Sequence, residues 1–156
     1  MKNIIIAPYP QKLKNGKPNP KEYPHWKEVV KGLKERGYYI TQVGVEGEAQ
    51  IEGVDQFLKN LSMKELEKMT DDCVTWLTVD SFFQHLARYK NKPGIVLFSI
   101  SDPLIFGHPA NLNLLKSRSK LRTYQFATWE EAIYDQYAFM DPNVVLSKFD
   151  KFIKKK

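Results

Sequence analysis

The sequence predicts a three-layer α/β domain built on a mostly parallel sheet. Three observations predict it. Short apolar runs, "NIIIAP", "CVTWLTV" and "IVLFSI", recur along the chain. Segments with apolar residues at helical spacing separate them. The runs are nearly continuous in apolar residues, which suits strands covered by helices on both faces. The order reads β–α–β–α–β–α–β, with right-handed crossovers, and five or six strands are expected in a doubly wound sheet.

The first strand is expected at 3–8, where Ile4, Ile5 and Ile6 run into Pro8. A long loop follows, carrying Pro10, Pro18, Pro20, Gly16, Lys12, Lys14, Lys17 and Lys21. A loop of that length in a compact domain is uncommon unless it is functional. Pro24 is placed to open a helix. Trp26, Val29, Val30 and Leu33 form its apolar stripe, and Gly37 closes it. Residues 38–44 read as the next strand. "VEGEAQIEGV" is polar and punctuated by glycine, with a short strand expected near Ile51.

Ser62 and Glu65 have capping-box spacing and open a helix over 62–69. A strand at 73–79 leads into a helix over 81–90, with Phe82, Leu86 and Tyr89 on one side. Pro93 and Gly94 turn the chain into a strand at 95–100. "SDPLIFGHPANLNLL" reads as a long loop with one helical turn, and 122–127 as a last short strand. Thr128 and Glu131 repeat the capping-box spacing. Asp141 and Pro142 then start a C-terminal helix over 141–154 that buries Val145, Phe149, Phe152 and Ile153.

The 156 residues are expected to form a single domain, 1–156, without repeats or linkers. Apolar residues make up 42% and charged residues 27%, the balance of a soluble globular protein. The lone cysteine, Cys73, excludes an internal disulfide and sits in an apolar run, so it reads as a core thiol in a reducing compartment. The start "MKNIIIAPYP" is too short in apolar residues for a signal peptide, and no run approaches a membrane span. A cytoplasmic protein is expected. The net charge of +6 raises the question of nucleic acid. The basic residues are spread, however, and those of "KFDKFIKKK" complement a helix C-terminus. There is no zinc spacing, RNP-like motif or dense basic stripe, so nucleic-acid binding is not expected. There is also no GxGxxG, GK[ST] or HExxH, and no catalytic residue is assigned from motifs.

In an open parallel sheet, ligands bind beyond the carboxyl ends of the strands. Four loops lie there: the ones after Pro8, Val43, Val79 and Ile100. In "VDSFFQHLA", Asp80 and Ser81 stand where a strand hands over to a helix, with His85 one turn in. A helix N-terminus offers unpaired N–H donors and about half a positive charge to an anion such as phosphate. Asp and Ser also cap helices without any ligand, and spacing leaves both readings open.

"VDSFFQHLA" followed by "KPGIVLFSISDP" resembles the C-terminal, donor-binding half of glycosyltransferase family nine, the ADP-heptose heptosyltransferase type of GT-B enzyme. The matching residues are Asp80, Ser81, His85, Leu86, Lys92, Pro93, Asp102 and Pro103, and the likeness in order covers 3–108. The resemblance implies a Rossmann-like fold that binds a nucleotide sugar of the ADP type for glycosyl transfer. It implies Asp80 at the sugar, Ser81 and His85 at the diphosphate, Lys17 assisting from the first loop, and Glu46 or Glu48 at the nucleoside. Phe82, Phe83 and Asp102 lie near that site. Neither a metal nor another cofactor is expected.

The chain departs from the pattern in two ways. Phe82 and Phe83 stand at the family glycine and its neighbour, where glycine allows close approach to phosphate. The family's N-terminal half, with the acceptor site and catalytic base, has no counterpart, so a homodimer or partner chain is expected. A nucleotide-sugar binder without transfer activity, and an adaptor with a vestigial pocket, are the alternatives.

Overall fold

Ile4 and Ile6 point to one side of the central strand and Ile5 to the other, and all three are fully buried. That alternation divides the core in two, because successive strand side chains face opposite ways. The computed structural model describes residues 2–126 and 132–155. Six strands are present: β1 (Asn3–Ala7), β2 (Tyr39–Gly44), β3 (Gln56–Lys59), β4 (Thr75–Val79), β5 (Ile95–Phe98) and β6 (Leu112–Leu115). They form one sheet in the order β3-β2-β1-β4-β5-β6. Every pairing is parallel, with Ile5 opposite Thr41 on one side and Trp76 on the other. The expected three-layer α/β fold with a parallel sheet is present.

Helices α1 (Trp26–Glu35) and α5 (Pro142–Lys154) cover the face of Ile4, Ile6, Leu77 and Leu97. Trp26, Val29, Val30 and Leu33 are all buried there, as their spacing predicts. Asp141 caps α5 by accepting from the Asn143 N–H at 2.8 Å, and Val145, Leu146 and Phe149 are buried. Gly37, at φ +86°, turns the chain after α1 in a conformation other residues rarely adopt. Helices α2 (Met63–Asp72) and α3 (Phe82–Tyr89) cover the face of Ile5, Trp76, Val96 and Phe98. Ser62 and Glu65 form the expected capping box at the start of α2. Cys73 is a buried thiol in this second cluster, donating to Thr70 O at 3.2 Å.

Several elements differ from the sequence expectations. The third strand is Gln56–Lys59 rather than a segment near Ile51. The Ile51 N–H is instead taken by the Gln42 side chain at 2.7 Å, a local bond that replaces strand pairing. The sixth strand is Leu112–Leu115, inside the segment read as loop, whereas residues 122–126 form bends and a turn. There the Arg122 N–H and the Gln125 amide both reach Ile100 O, so the chain is tied to the end of β5 by isolated bonds. Helix α1 begins at Trp26, two residues past Pro24. The buried side of α3 is Phe83, Leu86 and Ala87, leaving Phe82 and Tyr89 exposed. The expected turn of helix is α4 (Pro103–Phe106). The capping box at Thr128 and Glu131 lies outside the described residues.

Candidate functional site

The strand order reverses between β1 and β4, each of which connects onward to opposite sides of the sheet. At such a switch point the loops after the two strands part and leave a crevice. A cleft of about 790 Å³ lies there. Its walls are the first loop, the end of β2 from Val43 to Glu46, the entry to α2 around Asn60 and Met63, and the turn Asp80–Phe83. A second cavity of about 590 Å³ adjoins it, sharing Tyr9, Lys12, Asn19 and Glu48 among its walls.

The polar floor is built around Asp80, which is only 7% exposed. Its Oδ2 lies 3.1 Å from Lys21 Nζ, and its Oδ1 accepts from Gln84 Nε2 at 2.7 Å. Burial pulls the Lys21 ammonium below its ordinary pKa, the Asp80 carboxylate opposes that, and Arg122 adds to the lowering. Ser81 is extended and does not cap α3. Its hydroxyl turns back instead, 3.2 Å from Thr78 Oγ1 and 3.3 Å from Val79 O. Thr78 in turn donates to Ala7 O at 2.6 Å, tying β4 to the start of the first loop. The capping reading therefore fails for both residues: Asp80 is engaged by Lys21 and Gln84, and among the described residues no side chain takes the first-turn N–H groups of α3.

The remaining residues singled out in the sequence are distributed unevenly. Glu46 and Glu48 both line the cleft. Glu48 Oε1 accepts from the Val45 N–H at 2.8 Å and lies against Gly44, where any Cβ would collide with it. Glu46 is exposed and 3.7 Å from Lys59 Nζ. Lys17 lines only the second cavity, whereas Lys12 lines both. Phe82, 57% exposed, forms cleft wall, and Phe83 also touches it while packing edge-on against Trp76 at 5.6 Å.

His85 and Asp102 are absent from the cleft walls. His85 Nδ1 lies 3.0 Å from His108 Nε2, and burial, then His85 and Arg88, push the His108 pKa down. Asp102 accepts from Arg118 Nη2 at 2.7 Å and caps α4 through the Leu104 N–H. Arg118 holds the Asp102 carboxyl below its ordinary range. Sequence reasoning missed Gln84, although its spacing of four from Asp80 places it one helical turn on. It also missed Asn60 and Met63, which local spacing does not connect to the other walls. Among the described residues, no group of three or more His, Cys, Asp or Glu is placed to hold a metal. None of the described helices is long and apolar enough to cross a membrane.

A parallel sheet with this strand order and a cleft at its switch point is the architecture of one half of a GT-B-like enzyme. The family model of glycosyltransferase family 9 (heptosyltransferase) matches residues 2–129, and the chain belongs to that family. Among solved structures, Escherichia coli ADP-heptose LPS heptosyltransferase II is similar at a TM-score of 0.73 and 19% identity, over 99% of this chain and 47% of that one. The family 9 glycosyl transferase of Veillonella parvula DSM 2008 gives 0.77 and 15%, over 99% and 47%. E. coli heptosyltransferase WaaC with ADP gives 0.64 and 15%, over 96% and 44%. The chain thus spans about half the length of these structures. No curated protein matches it.

Proposed function

We propose that the chain binds the nucleotide-sugar donor of a glycosyl transfer, an ADP-sugar, in the switch-point cleft. The observation that carries this reading is the meeting of Lys21, Asp80 and the uncapped start of α3 on one side of that cleft. The diphosphate takes the first-turn N–H groups of α3, with Lys12 and Lys21 as the nearby cations. Asp80 faces the sugar and accepts its hydroxyls. The nucleoside extends toward Val45, Glu46, Asn60 and Met63, where apolar side chains offer faces to a base and Glu46 or Glu48 offers acceptors to the ribose. Lys17 reaches the donor only through the adjoining cavity. His85, held by His108, is left out of the set.

The charge on the anion is met by lysines and helix N–H groups, so binding needs no metal. Membership in glycosyltransferase family 9 and the ADP and ADP-heptose in the names of similar structures support the donor class. The reading includes a second copy or partner chain that completes a transfer cleft; the similar heptosyltransferase TibC is described as dodecameric. The buried Cys73 thiol fits a cytoplasmic setting. Calorimetry with ADP-heptose, ADP, UDP and GDP tests the reading. Binding of the two adenine nucleotides, unchanged by EDTA, is expected; a panel with no binding overturns it.

A further inference from the structure

Phe82 and Phe83 are neighbours in sequence with opposite surroundings. Phe83 is 4% exposed and packs edge-on against Trp76, so the core accounts for it. Phe82 is 57% exposed, and among the described residues no other ring meets its own. It stands in the wall of the switch-point cleft, as the first residue of α3. Met63 is the first residue of α2, and Val45 follows the last residue of β2. Both line the same cleft and are 49% and 55% exposed. Three large apolar side chains from three elements are thus left in water inside one concavity. Exposed apolar groups gathered in this way mark a ligand surface.

The wall differs in chemistry from the floor, where Asp80 and Lys21 supply charge and hydrogen bonds. Val45 and Phe82 carry no hydrogen-bonding side chain, and the Met63 thioether is a weak acceptor. A sugar pressed against this wall would leave hydroxyls unpaired, at a cost. A flat, weakly polar ring loses little there and gains contact with an aromatic face. A purine covers more of that face than a pyrimidine does.

We infer that Phe82 is the stacking platform for the base of the donor and favours a purine over a pyrimidine. The inference rests on donor binding in this cleft, as proposed above, and adds the residue that reads the base. With the diphosphate over the first-turn N–H groups of α3, a ring on the first residue of that helix stands beside the anion. A nucleoside extending from there toward Met63 passes that ring. The family pattern carries glycine at this position, so the platform belongs to this chain and not to the pattern.

The test is calorimetry with ADP, UDP and inorganic pyrophosphate on wild type, Phe82→Ala and Phe82→Trp. Wild type is expected to bind ADP more tightly than UDP. Phe82→Ala is expected to bind ADP about tenfold more weakly, the scale of one lost base–aromatic stack, with pyrophosphate affinity held within about twofold. Phe82→Trp should keep the ADP affinity, and its added indole emission should fall with ADP but not with pyrophosphate. Equal melting temperatures are expected, because the side chain is exposed. Phe82→Ala binding ADP as tightly as wild type overturns the inference and leaves donor binding standing. So does a wild type that binds UDP as tightly as ADP. Tighter binding of both ADP and pyrophosphate by Phe82→Ala also overturns it, and makes the ring an obstacle to the anion. A wild-type chain that binds no ADP removes the donor reading and this inference with it.

Discussion

Lys21 Nζ and Asp80 Oδ2 lie 3.1 Å apart at the base of the cleft, with side chains 15% and 8% exposed. The contact joins the long first loop to the end of β4, and so joins the two sides of the switch point. A buried pair broken on one side leaves a charge with little solvent to replace its partner. Lys21→Met is therefore expected to lower the melting temperature and to weaken ADP-heptose binding by about tenfold or more, the equivalent of one charged hydrogen bond. Adding Asp80→Asn should recover part of the stability but none of the affinity. Melting curves and calorimetry on the cycle check this, and full recovery of binding in the double variant would contradict the assigned roles.

The central strands were legible because β-branched residues dominate them: Ile4–Ile6 and Ile95–Val96 need no partner to announce burial. The edge strands were not. Gln56–Lys59 has no fully buried residue, and Asn113 interrupts the leucines of Leu112–Leu115, so neither presents an apolar run. The site divided in the same way. Asp80 and Ser81 could be placed because the end of a strand is a local feature. The partners that decide their roles are distant in sequence: Lys21 for Asp80, and His108 for His85. Spacing within one motif puts His85 near the anion; in the structure its ring meets that of His108, in the loop after α4.

Gly94 is a packing requirement for Trp76. A Cβ there would overlap the buried indole, whose Nε1 donates to Lys92 O at 2.9 Å. Overpacking a filled core usually costs about 1–3 kcal/mol. Gly94→Ala should lower the melting temperature by about 2–4 °C per kcal/mol for a chain of this size. Donor binding, at the opposite, carboxyl end of the strands, should change little in the folded fraction. An unchanged melting curve would contradict this account of the indole.

The burial of His108, beside His85, sets a pH dependence of stability. Burial lowers the folded-state pKa of His108 below its ordinary 6.5, so the unfolded chain binds the proton more readily. Stability is then complete above 6.5 and is lost as pH falls from 6.5 through the lowered folded value. His108→Gln is expected to reduce the loss of melting temperature between pH 7 and pH 5. Glu22, with a raised pKa, contributes in the opposite sense, so the comparison is between variant and wild type at each pH. His85→Ala should leave ADP-heptose affinity within about twofold of wild type, well under the tenfold that one lost charged hydrogen bond costs. A larger loss would return His85 to the donor site.

The last prediction concerns assembly. Leu104 is 84% exposed and Phe126 83%, and the Phe126 ring lies 5.6 Å from that of Phe106. Gln125 fixes this surface: its Oε1 accepts from the Asp102 N–H at 2.8 Å and its Nε2 donates to Ile100 O at 3.0 Å. The segment 122–126 is thereby held beside α4, at the end of the sheet that also carries the cleft. Grouped exposed apolar side chains of this kind mark interaction surfaces. If a second copy completes the cleft, as proposed, sedimentation velocity should show a dimer that Leu104→Asp and Phe126→Ser each weaken without lowering the melting temperature of the monomer. A monomer at all concentrations, with no dimer recovered on adding ADP-heptose, would leave the surface to a different chain.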